Sequence, residues 1–251
     1  MGAREELGRP LRNLAFSGAG AGLAMGISGL GVASMHAMVG NGPAATAVAF
    51  LLYPLGFVVV IIGRQQLFTE NTLFPVAVVL AERRRLGATA RLWAVVLVAN
   101  VLGTLLFAWL AQLTPAVPAD VGHELVRLGA EQASRGFSTV FWTGIVGGWL
   151  VALVAWLVTA ADSTSGQFAV IVGLTYVIGA AHASHSIAGS AEVLNAVLGG
   201  DVGWGTYGSW LLAAVLGNAV GGVVMVALFN YGQVHRPGGT ERARAQVPPE
   251  K

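Results

Sequence analysis

Two long apolar blocks of this chain are each interrupted partway by polar residues, and that pairing limits the possible folds more than any other feature. The first interruption reads Arg64-Gln65-Gln66-Leu67-Phe68-Thr69-Glu70-Asn71; the second runs from His182-Ala183-Ser184-His185 to Glu192. Around them the chain is 55% hydrophobic and only 10% charged over 251 residues. With a mean hydropathy of +0.69, it is too apolar for a soluble domain. A membrane crossing takes about 20 apolar residues. Six blocks qualify when each interrupted block counts as one discontinuous crossing: near 13–39, 45–81, 88–113, 138–161, 168–199 and 207–232. Charge and open backbone at membrane depth are tolerated only where protein or water surrounds them. Two breaks in corresponding halves therefore point to a substrate path near the midplane.

The expected fold class is an all-α polytopic membrane protein of six transmembrane helices with the second and fifth broken. Each half runs through a Gly-rich crossing, a broken one and a continuous one. An odd number of crossings per half reverses the second copy, giving an inverted 3+3 repeat. Residues 1–12 and 233–251 read as cytoplasmic tails around a channel domain at 13–232. Arg4, Arg9, Arg12, Arg83–Arg85, Arg91, Arg236, Arg242, Arg244 and Lys251 fall on one side. The opposite loops hold only Arg127 and Arg135. The positive-inside rule then puts both termini in the cytoplasm of a cell-membrane protein. The stretch 114–137 predicts a short amphipathic helix outside the membrane, with Arg127 and Arg135 on a solvated surface of local ion pairs; the alternative is a vestibule in which the two arginines gather anions. Small residues at Gly18, Gly22 and Gly26, and at Gly217, Gly221 and Gly222, are spaced for close helix approach.

The sequence has no Cys, no GxxxxGK[ST] loop and no H-E-x-x-H helix. We therefore expect neither an enzyme nor a bound cofactor or metal. The run Arg83–Arg85 lacks interleaved aromatics and reads as a topology marker or lipid contact rather than a nucleic-acid patch. His185, deep in the fifth block among Ser184, Ser186, Gly189, Ser190 and Glu192, is the main candidate for chemistry. A neutral imidazole donates a hydrogen bond to an anion, and a protonated one supplies charge or a proton. His182 stands three residues earlier. Arg64, Glu70 and Asn71 in the other break read as a polar clamp, through mutual pairing, pairing with Glu192, or bonds to freed carbonyls.

The Leu67-Phe68-Thr69 stretch together with His185-Ser-Ile-Ala resembles the formate/nitrite transporter family, over roughly residues 10–232. The wording Gln66-Leu-Phe-Thr-Glu-Asn-Thr72 and His185-Ser-Ile-Ala-Gly-Ser-Ala-Glu-Val-Leu194 is most similar to its YfdC-like branch. The resemblance implies an aquaporin-like protomer in a homopentamer, each pore conducting small monovalent anions or their weak acids. It assigns the central His to His185 and the opposing motif to Thr69 and Phe68, with Tyr53, Phe57 and Ile178 at apolar constrictions. Family members that carry formate or nitrite usually have Glu before the His, an Asn four residues after it and an Asn in the fourth crossing. Here Ser184, Gly189 and Gly147 or Gly148 stand in those places. His182, Ser190 and Glu192 are the polar groups available to replace them. The competing expectation is a neutral-solute or ammonium-type channel of the same architecture.

Overall fold

The computed structural model describes residues 7–72 and 86–224. Their elements in chain order are α1 (Leu11–Val39), α2 (Pro43–Ala49), α3 (Leu55–Ile62), a 3-10 turn (Glu70–Thr72), α4 (Leu86–Leu113), α5 (Ala119–Ala133), α6 (Phe137–Ala160), α7 (Thr164–Ala180), α8 (Ser186–Gly199) and α9 (Trp204–Gly222). Among the described residues, α1, α4 and α6 are long and apolar enough to cross a membrane, and α7 is a shorter apolar helix. The parts of the expected second and sixth crossings at 73–81 and 225–232 lie outside the described residues, as do residues 1–6 and the tail from 233.

The small residues bring backbones into contact within the chain. A Cβ on Gly22 of α1 would run into the Asn100 carbonyl of α4, and one on Gly103 of α4 would run into the Ala19 carbonyl. The same arrangement joins α6 to α9, where Gly148 faces the Asn218 carbonyl and Gly221 the Ile145 carbonyl. In hydrocarbon, where apolar side chains gain nothing by leaving lipid, such close approach supplies the packing energy.

Both breaks are built alike. Arg64 (φ 53°) and His182 (φ 48°) adopt the left-handed conformation just after α3 and α7. For a residue with a Cβ this is strained by about 1–3 kcal/mol and needs outside support. Gln65 N–H reaches back to Val60 O and Ala183 N–H to Ile178 O, each at 2.9 Å. Support comes from two buried asparagines. Asn100 Oδ1 accepts Phe68 N–H at 2.9 Å, while its Nδ2 donates to Gly18 O at 2.8 Å and Gln66 O at 2.9 Å. Asn218 Oδ1 accepts Ser186 N–H at 2.8 Å and its Nδ2 donates to Gly144 O at 2.8 Å and Ser184 O at 2.9 Å. Backbone groups freed by each break are thereby satisfied where no water is needed.

The second block has a further interruption, at Phe50–Pro54, for which Pro54 was the available and unused signal in the sequence. Ser28 of α1 bridges it, donating to the Tyr53 carbonyl and accepting Gly56 N–H at 3.1 Å. The expected helix between the halves is α5, and it buries Val121, Leu125 and Gly129. It presses against α8, with Gly129 against the Glu192 carbonyl.

Candidate functional site

His185 and Thr69 meet at the centre of the bundle. His185 Nε2 lies 2.8 Å from Thr69 Oγ1, and Ala188 N–H donates to His185 Nδ1 at 3.0 Å, capping α8. Since Nδ1 accepts a backbone proton, the neutral ring carries its own proton on Nε2 and donates it to Thr69. The Thr69 hydroxyl hydrogen is thus left to point elsewhere. The Thr69 carbonyl accepts Thr72 Oγ1–H at 2.7 Å, which fixes the turn that presents it.

An apolar layer covers the imidazole. The Phe57 ring meets His185 edge-on with centroids 5.0 Å apart, and Tyr53 lies 5.7 Å from Phe57. Tyr53 and Ile178, both buried, also line a cavity of about 540 Å³ whose walls include Glu131, Arg135, His182 and Glu192. Phe57 and His185 do not line it. Tyr53 and Ile178 thus face the cavity, and Phe57 packs between Tyr53 and the His185 ring. Phe68, expected in the motif opposite His185, packs its ring on Trp93 with centroids 5.9 Å apart.

Other expected residues fall in two groups. Asn71 ties the first break, donating to Gln66 Oε1 at 2.9 Å and Leu67 O at 3.0 Å and accepting Trp93 Nε1–H at 2.9 Å. Ser184 Oγ lies 2.9 Å from Thr143 Oγ1. His182 is exposed, with its ring edge-on to Phe50 at 5.6 Å. Glu192 is buried, its carboxylate hydrogen-bonded by Gln132. Among the described residues no ion pair joins Arg64 to Glu70: Arg64 sits exposed on its left-handed turn.

Arg135 corrects a second expectation. It does not stand on a solvated surface but holds the second break, donating to His182 O at 2.8 Å, Ser184 Oγ at 3.3 Å and Thr143 Oγ1 at 3.1 Å. Burial pulls its guanidinium below the usual arginine range, while Glu131 and Glu192 oppose that shift. Arg127 does form local ion pairs, with Glu124 at 2.7 Å and Glu131 at 3.3 Å. It also donates to Asn41 Oδ1 at 3.0 Å, strapping the α1–α2 loop over the cavity. Partial burial pushes the Glu124 carboxyl up, but hydrogen bonds from Arg127 and Asn41 and the charges of Arg127 and His36 outweigh it, so it sits below its ordinary value.

The departures from the family pattern have steric partners. A side chain on Gly189 would meet the Trp210 ring, one on Gly147 the Ser184 carbonyl, and one on Gly148 the Asn218 backbone. Sequence reasoning missed Asn100, Asn218, Thr143 and Trp210. A lone Asn inside an apolar run such as Val98-Ala99-Asn100-Val101-Leu102 was the available signal for the first two.

A tight bundle of apolar helices, backbone breaks held by buried asparagines, and a polar pair behind an apolar layer together define a helical membrane transport protein. The family model described as "Formate/nitrite transporter" matches residues 2–232. "Inner membrane protein YfdC" of Escherichia coli (strain K12) is 33% identical over 233 residues, 92% of this chain and 74% of that protein. The "Probable formate transporter" of Methanothermobacter thermautotrophicus is 26% identical over 193 residues, 70% of each chain. The fold matches a solved "FNT family ion channel" with a TM-score of 0.81 at 22% identity, covering 93% of this chain and 94% of that one. It also matches a "Pentameric formate channel with formate bound", with a TM-score of 0.76 at 19% identity, over 89% of this chain and 97% of that one. The chain belongs to the formate/nitrite transporter family.

Proposed function

We propose that this protein is a channel for small monovalent anions that cross as their neutral weak acids, with His185 and Thr69 as the central polar station. One observation carries the reading: the His185–Thr69 hydrogen bond, 2.8 Å long, lies behind the apolar layer of Tyr53, Phe57 and Ile178. A dry ring opposes an ion through the loss of its hydration, whereas the neutral conjugate acid passes with far smaller penalty. Past the ring, the Thr69 hydroxyl is free to donate to the permeant's oxygen. His185 is linked to protons through its cap, since a proton on Nδ1 displaces the Ala188 N–H and uncaps α8. Permeation and the state of α8 are coupled through that one nitrogen.

In this reading the chain crosses the cell membrane six times, α2–α3 with the 3-10 turn and α7–α8 forming the broken second and fifth crossings. Both termini are cytoplasmic. Exposed Phe16, Trp142, Trp149 and Trp156 face lipid or neighbouring copies in a homopentamer. The likeness in fold to a pentameric formate channel with formate bound supports both the assembly and the substrate class. Carboxylates on the cavity wall, Glu131 and Glu192, favour a second reading as a neutral-solute or ammonium-type pore.

Proteoliposome flux separates the two. Formate or nitrite uptake that rises as external pH falls is the expected result. Osmotic swelling by water or glycerol without any movement of acid or protons supports the second reading and overturns the first. Native mass measurement under mild extraction is expected to give five copies; monomer alone counts against the assembly.

A further inference from the structure

We infer that Glu192 is the group that hands a proton to the permeating anion, on the cavity side of the apolar layer. The inference rests on the channel reading and names a residue in its entry path. His185 cannot supply that proton to an anion still in the cavity, because the layer of Phe57, Tyr53 and Ile178 separates the two. An anion dependent on His185 alone would have to cross the layer charged. The donor therefore has to stand on the cavity wall.

Glu192 stands there and is only 6% exposed. Its Cγ lies 3.6 Å from the position a Cβ on Gly29 would take, and Gly129 packs on its carbonyl, so glycines on α1 and α5 make the space it occupies. Elements packed around it present few other ionisable groups. His36 comes from α1, Arg127 and Glu131 from α5, Arg135 from the α5–α6 connection, Tyr53 from the turn before α3, and His182 from the second break. α9 contributes Tyr207, whose hydroxyl donates to Ser190 Oγ at 3.1 Å, and α4 contributes the neutral Gln112, bound to Asn195 Oδ1 at 2.9 Å. His182 is exposed and therefore offers no site shielded from solvent. Of the other buried groups on this wall, His36, in the last turn of α1, is engaged through Nδ1, 3.0 Å from Gly40 O, and Tyr53 is a phenol, too weak an acid to give up a proton near neutral pH, which leaves Glu192 as the buried carboxyl donor.

The step balances. The Glu192 carboxyl O–H bond breaks, the proton bonds to an oxygen of the anion, and a carboxylate remains facing the Arg135 cation across the cavity. The neutral acid leaves through the apolar layer. Water in the cavity, whose rim includes exposed Asn41 and His182, returns a proton to the carboxylate.

The test is uptake of labelled formate, nitrite and acetate by proteoliposomes across external pH 5 to 8, with wild type, Glu192→Gln and Glu192→Asp. Glu192→Gln is expected to lower uptake at least tenfold at pH 7 and to recover most of it at pH 5, where undissociated acid is already present outside. Glu192→Asp is expected to keep the wild-type profile shape, and oligomer mass is expected to be the same in all three. A Glu192→Gln profile that matches wild type overturns the inference. So does a loss by one factor at every pH, which is the mark of a packing role. A wild type that carries none of the three acids overturns the channel reading and this inference with it, whereas active wild type with unaltered Glu192→Gln overturns this inference alone.

Discussion

The two breaks share a scaffold and differ in chemistry. Arg64 matches His182 in its left-handed turn, and Phe68 matches Ser186 as the residue whose N–H is held by the buried Asn. In that same register Leu67 occupies the place of His185, and Ile187 the place of Thr69, and both of these apolar residues are fully buried. The central hydrogen bond thus joins non-equivalent positions of two equivalent frames. The segments leaving the two breaks differ too: the first turns through Glu70–Thr72, tied by Asn71 to Gln66, while the second enters α8 with His185 as its cap. Repetition supplies the hold on the backbone, and departure from repetition supplies the polar centre.

The strongest way to break this comparison is to remove the asparagines. Asn100→Ala and Asn218→Ala each orphan two backbone groups of a break and remove a second hydrogen bond from a helix carbonyl, Gly18 O or Gly144 O. At about 1–3 kcal/mol per orphaned group, both variants should lose several kcal/mol, by similar amounts. Thermal melting of the purified oligomer reads this directly. If one replacement is silent, the two frames are not equivalent.

The next effect separates chemistry from frame. His185→Phe should reduce formate flux in proteoliposomes at least tenfold while the oligomer persists, with only about 1 kcal/mol of stability lost with the α8 cap. Wild-type flux and pH dependence in this variant would remove His185 from the path. Smaller again is the contrast between matched positions: Thr69→Val leaves the buried Nε2–H without its acceptor, at about 1–3 kcal/mol, whereas Ile187→Val removes one methyl at about 0.5–1.5 kcal/mol. Equal melting shifts combined with equal flux would mean that the centre is as symmetric as the frame.

The smallest effect lies outside both breaks. Glu124 binds its proton more weakly in the folded protein than its ordinary value of 4.5. Its contribution is therefore complete above pH 4.5 and is lost as pH falls through the lower folded value. As a surface pair it amounts to less than about 1 kcal/mol. Melting curves of wild type and Glu124→Gln should differ at pH 6 and converge in acid; divergence in acid would contradict the strap from Arg127 and Asn41.

Apolar length located the long helices, since nothing else in a chain of this composition produces such runs. The polar stretches coincide with the left-handed turns that end α3 and α7, because polar groups inside a greasy block need a local reason. Other features were hidden for physical reasons. The turn at Phe50–Pro54 has only Pro54 as its signal in the sequence, and its freed groups are met by Ser28, distant in the chain. Arg135 looked like a surface residue because its acceptor, the His182 carbonyl, is exposed only by the fold. Spacing suggested that Arg64 could reach Glu70, but a left-handed residue redirects the chain in a way that residue counting does not capture.

Asn218 grips the Ser184 carbonyl and the Ser186 N–H, never their side chains. Ser186, whose buried hydroxyl finds no hydrogen-bond partner among the described residues, can therefore change to a residue of similar size without loosening this grip, whereas the Ser184 hydroxyl is also held by Arg135 and Thr143. Position 189 behaves otherwise, because Trp210 fills the space that any larger side chain there would need. An Asn at 189 becomes accessible only after Trp210 has shrunk, so the order in which substitutions arise decides which pores this chain can become.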